Sequence, residues 1–155
     1  MSLKIERIIN TPIPSNCFVI YTDNKHDGCI IVDPGSEDCK ELLSFLNKIN
    51  TDPQYIILTH EHFDHIWGVA LLRKLYNVEV ICSKYCSEAI KNKKKNLSVF
   101  YNQIEFEIIS ANRTIEELKF ILRWNKLVFE FINTKGHSEG SICISIENSL
   151  LQAIH

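Results

Sequence analysis

Gln54-Tyr55-Ile56-Ile57-Leu58, running into Thr59-His60-Glu61-His62-Phe63-Asp64-His65, is the stretch whose reading decides the fold. The first five residues are β-branched, aromatic or apolar and read as a buried strand. Beyond the second block, Ile66 to Tyr76 places Trp67, Val69, Ala70, Leu71, Leu72 and Leu75 at helical spacing. The polar block therefore sits in a loop between a strand end and a helix start, where functional groups concentrate. Three of the six histidines fall inside it, with a carboxylate among them. Imidazole and carboxylate are metal ligands, and packing several together without a cation is costly. The plainer alternative is a solvated polar loop, or a helix N-terminus with Asp64 near its positive end. The ligand density favours the metal.

Working outward, the chain has the size and composition of one soluble globular domain spanning residues 1–155, with 45% hydrophobic and 23% charged residues. A net charge of −2 gives no electrostatic case for nucleic acid or an anionic membrane. No apolar run approaches a membrane span, and residues 1–10 lack the core of a signal peptide. The basic run Lys91 to Asn96 has no interleaved aromatics and reads as a solvated face or loop. Six scattered cysteines form no Cys-x-x-Cys pair, which points to buried free thiols in a reducing, cytoplasmic setting.

Upstream, Lys4–Ile9, Asn16–Tyr21 and Gly28–Val32 read as strands, the last two forming a hairpin around a polar turn in which His26 is solvated. Asp33-Pro34-Gly35-Ser36 follows, with Ser36 a fair N-cap for a helix over Cys39–Ile49. Asp33 has two readings: it orders the turn, or it supports a metal ligand from behind. Downstream come a strand at Val78–Cys82 and a helix at Ser83–Lys91. A hairpin turns at Asn125-Lys126, and strands follow at Ile142–Ile146 and Leu150-Leu151. His137, between Gly136 and Gly140, ends the second strand of that hairpin. The glycines let the backbone approach something closely. Residues two apart in an extended loop aim to one side, so His60 and His62 can share an ion. His137 supplies a third ligand and leaves a position for water, as in catalytic zinc.

These residues carry a resemblance. Thr59–His65 resembles the His-x-His-x-Asp-His signature of the metallo-β-lactamase fold superfamily. Lys135–Ser141 resembles its Gly-His-Ser/Thr-x-Gly-Ser loop, and Ile31–Gly35 its Ile-Asp-Pro-Gly strand end. The likeness covers almost the whole chain and is greatest to short glyoxalase II-like hydrolases. It implies an α/β (α+β) fold, an αββα sandwich with the site at one edge of two mixed sheets. It also implies that His60, His62 and His137 bind a first metal, and that Asp64 and His65 bind a second. Asp64 would in addition orient the attacking water. Spacing alone groups Asp64 with His60 and His62. Trp67 is read as core, and Glu61 and Phe63 as pointing away.

The implied activity is hydrolysis of a thioester or ester of a small molecule, such as a hydroxyacylglutathione, by metal-activated water. Zinc, as one or two ions, is the expected cofactor, and the same donors serve iron or manganese. An iron enzyme acting on a persulfide or redox substrate, and a non-catalytic metal-binding remnant, are the alternatives. The family pattern continues to a strand with a metal-bridging Asp and a last His, whereas this chain reads Leu151-Gln152-Ala153-Ile154-His155, so the sandwich is expected to be incomplete at its C-terminus and the activity of this chain weak or absent. Those five residues are what a one-base deletion makes of codons for Phe-Thr-Gly-Asp-Thr, which is the expected origin of the ending. His155 as a stand-in ligand is a less favoured reading. An exposed sheet edge is expected to drive homo-oligomerisation, including strand-exchanged dimers.

Overall fold

The computed structural model describes residues 1–101, 106, 108–147 and 149–151. The chain runs β1 (Leu3–Ile9), β2 (Asn16–Thr22), β3 (Cys29–Val32), α1 (Lys40–Ile49), β4 (Pro53–Ile57), α2 (Phe63–Ile66), α3 (Val69–Leu75) and β5 (Glu79–Ser83). It continues through α4 (Lys84–Ala89), β6 (Arg113–Ile115), β7 (Lys119–Trp124), β8 (Leu127–Asn133), β9 (Ile142–Ile146) and β10 (Ser149–Leu151). Strands β1 to β6 form one mixed sheet in sequence order, and β10-β9-β8-β7 a second, antiparallel one.

The apolar runs explain why both faces of the first sheet are covered. Cys29, Ile30, Ile31 and Val32 are all buried, the continuous pattern of strands packed on both sides. Alternation then sorts them into two cores. Ile31, Ile56, Leu58 and Val80 pack with Leu42 and Leu46 of α1 and Val69 and Leu72 of α3. Ile30, Ile57 and Ile81 face the second sheet and meet Trp124, Phe129, Phe131 and Ile144. The layers are thus helices, sheet, sheet. The far face of the second sheet carries no helix among the described residues.

The pairings β3–β4, β4–β5 and β5–β6 are parallel, so these strands end at the same edge. Asp33, the Thr59–His65 block and Ser83 are therefore delivered together, in the position where open α/β sheets bind ligands. The two sheets are joined there by the Ile142 N–H, which donates to Thr59 O at 2.8 Å.

Two local expectations are corrected. The helix expected through Ile66–Tyr76 is broken at Trp67-Gly68. Gly68 donates its N–H to Pro34 O, and a Cβ there would stand 2.3 Å from Cys39 Sγ, so close approach of the 34–39 turn interrupts the helix. Ser36 does not cap α1. Its hydroxyl accepts from the Thr11 N–H at 2.8 Å, and Cys39 precedes the helix with no side-chain cap. Strand β6, three residues long, is too short for a local pattern to mark it. Ser83, by contrast, caps α4 as expected by accepting from the Cys86 N–H.

All six cysteines are buried and free. Burial pushes the Cys29 thiol up to about 12, with Asp52 adding to it, and the Cys39 thiol up to about 12, with Asp38 adding to it. Among the described residues no helix is long and apolar enough to cross a membrane. His26 is exposed in its turn, and Trp67 is 7% exposed in an aromatic cluster with Phe63, Tyr101 and Phe106. The expectations about Gln152 to His155 lie outside the described residues.

Candidate metal centre

Four imidazoles converge at the shared strand edge. His60 is fully buried, His62 half-buried, His65 buried on the first turn of α2, and His137 exposed on the loop between β8 and β9. Ring centroids stand 4.6 Å apart for His60–His62, 4.9 Å for His60–His137 and 4.7 Å for His62–His137. The donor atoms of those three lie within 4.8 Å of one another, and so do those of Asp33, His60 and His65. The two groups share His60.

The donor geometry suits an ion. His137 Nε2 and His62 Nδ1 are 3.1 Å apart. Two nitrogens each ~2.0–2.1 Å from a tetrahedral zinc stand about 3.3–3.4 Å apart, so a shift of a few tenths of an ångström accommodates the cation. Three imidazoles with one open direction are the donor set of a catalytic site.

Asp64 does not join His60 and His62, although it continues their alternation. The reason is a change of period: His60 and His62 are in the extended loop, whereas Asp64 lies on α2, which starts at Phe63. Its carboxylate is instead 3.6 Å from His65 Nε2. Its carbonyl accepts from Ser15 Oγ at 2.6 Å and closes onto Gly35, where a Cβ would lie 1.7 Å from that oxygen. Hence the Asp-Pro-Gly turn needs its glycine.

Asp33 lies behind the histidines, 2% exposed. One carboxylate oxygen accepts from the Thr59 N–H at 2.8 Å. The other accepts from Thr59 Oγ1 at 2.5 Å and from His65 Nδ1 at 2.9 Å. Because the Thr59 hydroxyl gives its one proton to Asp33, it is left to accept from His60 Nδ1, 3.1 Å away. This network assigns the Nδ1–H tautomer to both His60 and His65 and turns both Nε2 lone pairs away from Asp33. Burial pulls the His65 pKa down, but the Asp33 and Asp64 carboxylates more than offset it, and the net shift is upward. Thr59 is the participant that sequence reasoning missed; a hydroxyl before the first histidine was its only signal.

The His137 loop closes on itself through the Thr134 N–H to Ser141 O bond at 3.0 Å. Of its two glycines, only Gly140 is needed for close approach. A Cβ at Gly136 would meet open space, its nearest neighbour at 4.0 Å. A cavity of about 290 Å³ opens beside His137, lined by Thr59, Thr134, Lys135, Gly136 and Ser141. A larger hollow of about 400 Å³ lies on α1, beside Leu43, Asn47 and Tyr76, far from this chemistry.

The family model of the metallo-β-lactamase superfamily matches residues 10–149, a span that contains Asp33, His60, His62, Asp64, His65 and His137. The chain belongs to the metallo-β-lactamase superfamily. Similar members include a probable metallo-hydrolase, YqgX, of Bacillus subtilis (strain 168), 28% identical over 95% of this chain and 67% of that protein. The hydroxyacylglutathione hydrolase GloC of Haemophilus influenzae is 24% identical over 90% of this chain and 65% of its own length. A hydroxyacylglutathione hydrolase of Buchnera aphidicola subsp. Baizongia pistaciae is 37% identical over 86% and 45%. The chain thus spans at most about two-thirds of these superfamily members, and less than half of the last. Among solved structures, the B3 metallo-β-lactamase BLEG-1 superposes with a TM-score of 0.82, at 28% identity over 92% of this chain and 67% of that one. MEM-A1, a subclass B3 enzyme from a soil metagenome, shares the fold with a TM-score of 0.72 at 19% identity, over 95% and 56%.

Proposed function

We propose that this superfamily member is a metal-dependent hydrolase of small thioester or ester substrates. The observation that carries this reading is the convergence of the His60, His62 and His137 donors beside a cavity, with His65 and Asp64 adjoining. The hydroxyacylglutathione hydrolases among its relatives support the thioester class.

In this reading His60, His62 and His137 hold a first divalent ion, and Asp64 and His65 face a second. Zinc suits the nitrogen-rich set, and iron or manganese also accept it. Such an ion supplies Lewis acidity that polarises a carbonyl and brings the pKa of water near neutrality. Asp64 orients the attacking water and accepts its proton. Asp33 and Thr59 keep the Nε2 atoms of His60 and His65 unprotonated toward the ions. The opening beside His137 admits the acyl group. Hydrolysis adds the water oxygen to the carbonyl carbon and breaks the carbon–sulfur bond, and the released thiolate takes up a proton.

The test is metal analysis of the purified chain combined with turnover of a hydroxyacylglutathione thioester. Metal-dependent turnover that disappears in His60→Ala is the expected result. Bound metal without turnover of any ester or thioester would identify a non-catalytic metal protein. Turnover of a persulfide with iron alone would replace the hydrolase reading.

A further inference from the structure

Glu61 stands between two candidate ligands, yet alternation turns it away from their imidazoles. It does not reach solvent: it is 4% exposed. Its Oε2 accepts from Ser138 Oγ at 3.0 Å, so it contacts the residue immediately after His137. The backbone of Gly140 is pressed against the same oxygen, and a Cβ there would lie 2.4 Å from it. From the other side, Ser83 Oγ donates to Gly140 O at 2.8 Å. Because Ser138 gives its hydroxyl proton to Glu61, Ser141 Oγ, 2.9 Å away, donates to Ser138 Oγ and accepts the Ser138 N–H at 3.2 Å. Every one of these contacts bears on the loop that carries His137, the most exposed of the three imidazoles.

A spacer between two histidines needs no charge, and burying a carboxylate is costly unless it is hydrogen-bonded. We propose that Glu61 is a positioning residue, a strut that ties the His137 loop to the His60–His62 loop and sets the spacing of the three imidazoles. This rests on reading those imidazoles as metal ligands. The loop keeps other anchors, namely Ile142 N–H to Thr59 O and Ser83 to Gly140. Loss of the strut therefore loosens His137 without unfolding the sandwich.

The experiment uses the full chain and its Glu61→Ala, Glu61→Gln and Ser138→Ala variants, together with the Glu61→Ala/Ser138→Ala double variant. Zinc affinity is measured by competition with a chromophoric chelator, and amide hydrogen exchange is followed across residues 136–141 in the metal-free protein. Glu61→Ala and Ser138→Ala should each lower zinc affinity about 10–100-fold, the usual effect of removing support behind a ligand. The double variant should lose little more than either single one. Glu61→Gln, which keeps an acceptor for Ser138, should restore affinity to within about threefold of the parent. Faster exchange at Ser138 and Ser141 should accompany the loss. Parental affinity in Glu61→Ala, or a loss in Glu61→Gln as large as in Glu61→Ala, would overturn the strut. If Glu61→Ala fails to fold, Ser138→Ala, at a half-buried loop position, decides by the same two readouts. If the parent itself binds no zinc, the metal reading falls, and the exchange measurement alone judges the strut.

Discussion

Replacing Asp33 with Asn should reverse the tautomers of two histidines at once. The amide can present its oxygen only toward the Thr59 N–H, 2.8 Å from the present Oδ1, because two N–H groups cannot face each other. Its NH₂ then takes the place of Oδ2, facing Thr59 Oγ1 at 2.5 Å and His65 Nδ1 at 2.9 Å. His65 Nδ1 must become an acceptor, which moves the ring proton to Nε2. The Thr59 hydroxyl, now accepting from the amide, sends its own proton to His60 Nδ1, 3.1 Å away, and that ring reverses too. Both Nε2 atoms carry protons where lone pairs are needed. Stability should fall by about 1–3 kcal/mol, the loss of hydrogen bonds to a charged acceptor. Zinc affinity should fall about 10–100-fold. Asp33→Ala is harsher, leaving the Thr59 N–H and His65 Nδ1–H buried without acceptors at about 1–3 kcal/mol each. Two-bond ¹⁵N–¹H imidazole spectra of the metal-free protein read the tautomers, and chelator competition reads the affinity. Asp33→Asn spectra with both Nδ1–H tautomers intact and zinc affinity within about threefold of the parent would refute the network.

Other perturbations give contrasting outcomes. Gly35→Ala should destabilise by about 1–3 kcal/mol or more, since its Cβ would overlap Asp64 O, whereas Gly136→Ala enters open space and should be near neutral; equal melting temperatures for the two would contradict the packing described. Because burial raises Cys29 and Cys39 to about 12, their thiolate fraction at pH 8 is on the order of 10⁻⁴. The folded protein should therefore resist thiol reagents at pH 8 and react at all six cysteines only on unfolding; a fast-reacting native thiol would contradict this. The far face of the second sheet exposes Ile121, Val128 and Leu150, which alternate with core residues. We expect self-association through that face, seen as a sedimentation coefficient that rises with concentration; a concentration-independent monomer would speak against it.

Much of the architecture could be read from local pattern. The run Gln54–Leu58, the ligand block and the apolar helix face place a strand, a site and a helix in order, because buried parallel strands need continuous apolar residues. What escaped depends on distant partners. The break at Gly68 is imposed by Cys39 and Pro34, and Ser36 was drawn from its capping role by Asn10 and Thr11. Asp33 had two readings because its part depends on Thr59 and His65, 26 and 32 residues away in sequence. Alternation placed His60 beside His62 but misassigned Asp64, since the backbone changes period between them at Phe63. Glu61 turns from the imidazoles, as alternation implies, but toward Ser138, a contact no sequence spacing shows.

The central claim is that His60, His62 and His137 form one metal site. X-ray absorption at the zinc edge of the zinc-loaded chain and of His137→Ala tests it most directly. The expected result is an imidazole shell at about 2.0–2.1 Å in the parent that loses one ring in the variant. A sulfur shell near 2.3 Å from the cysteines, or a spectrum unchanged by His137→Ala, would contradict it.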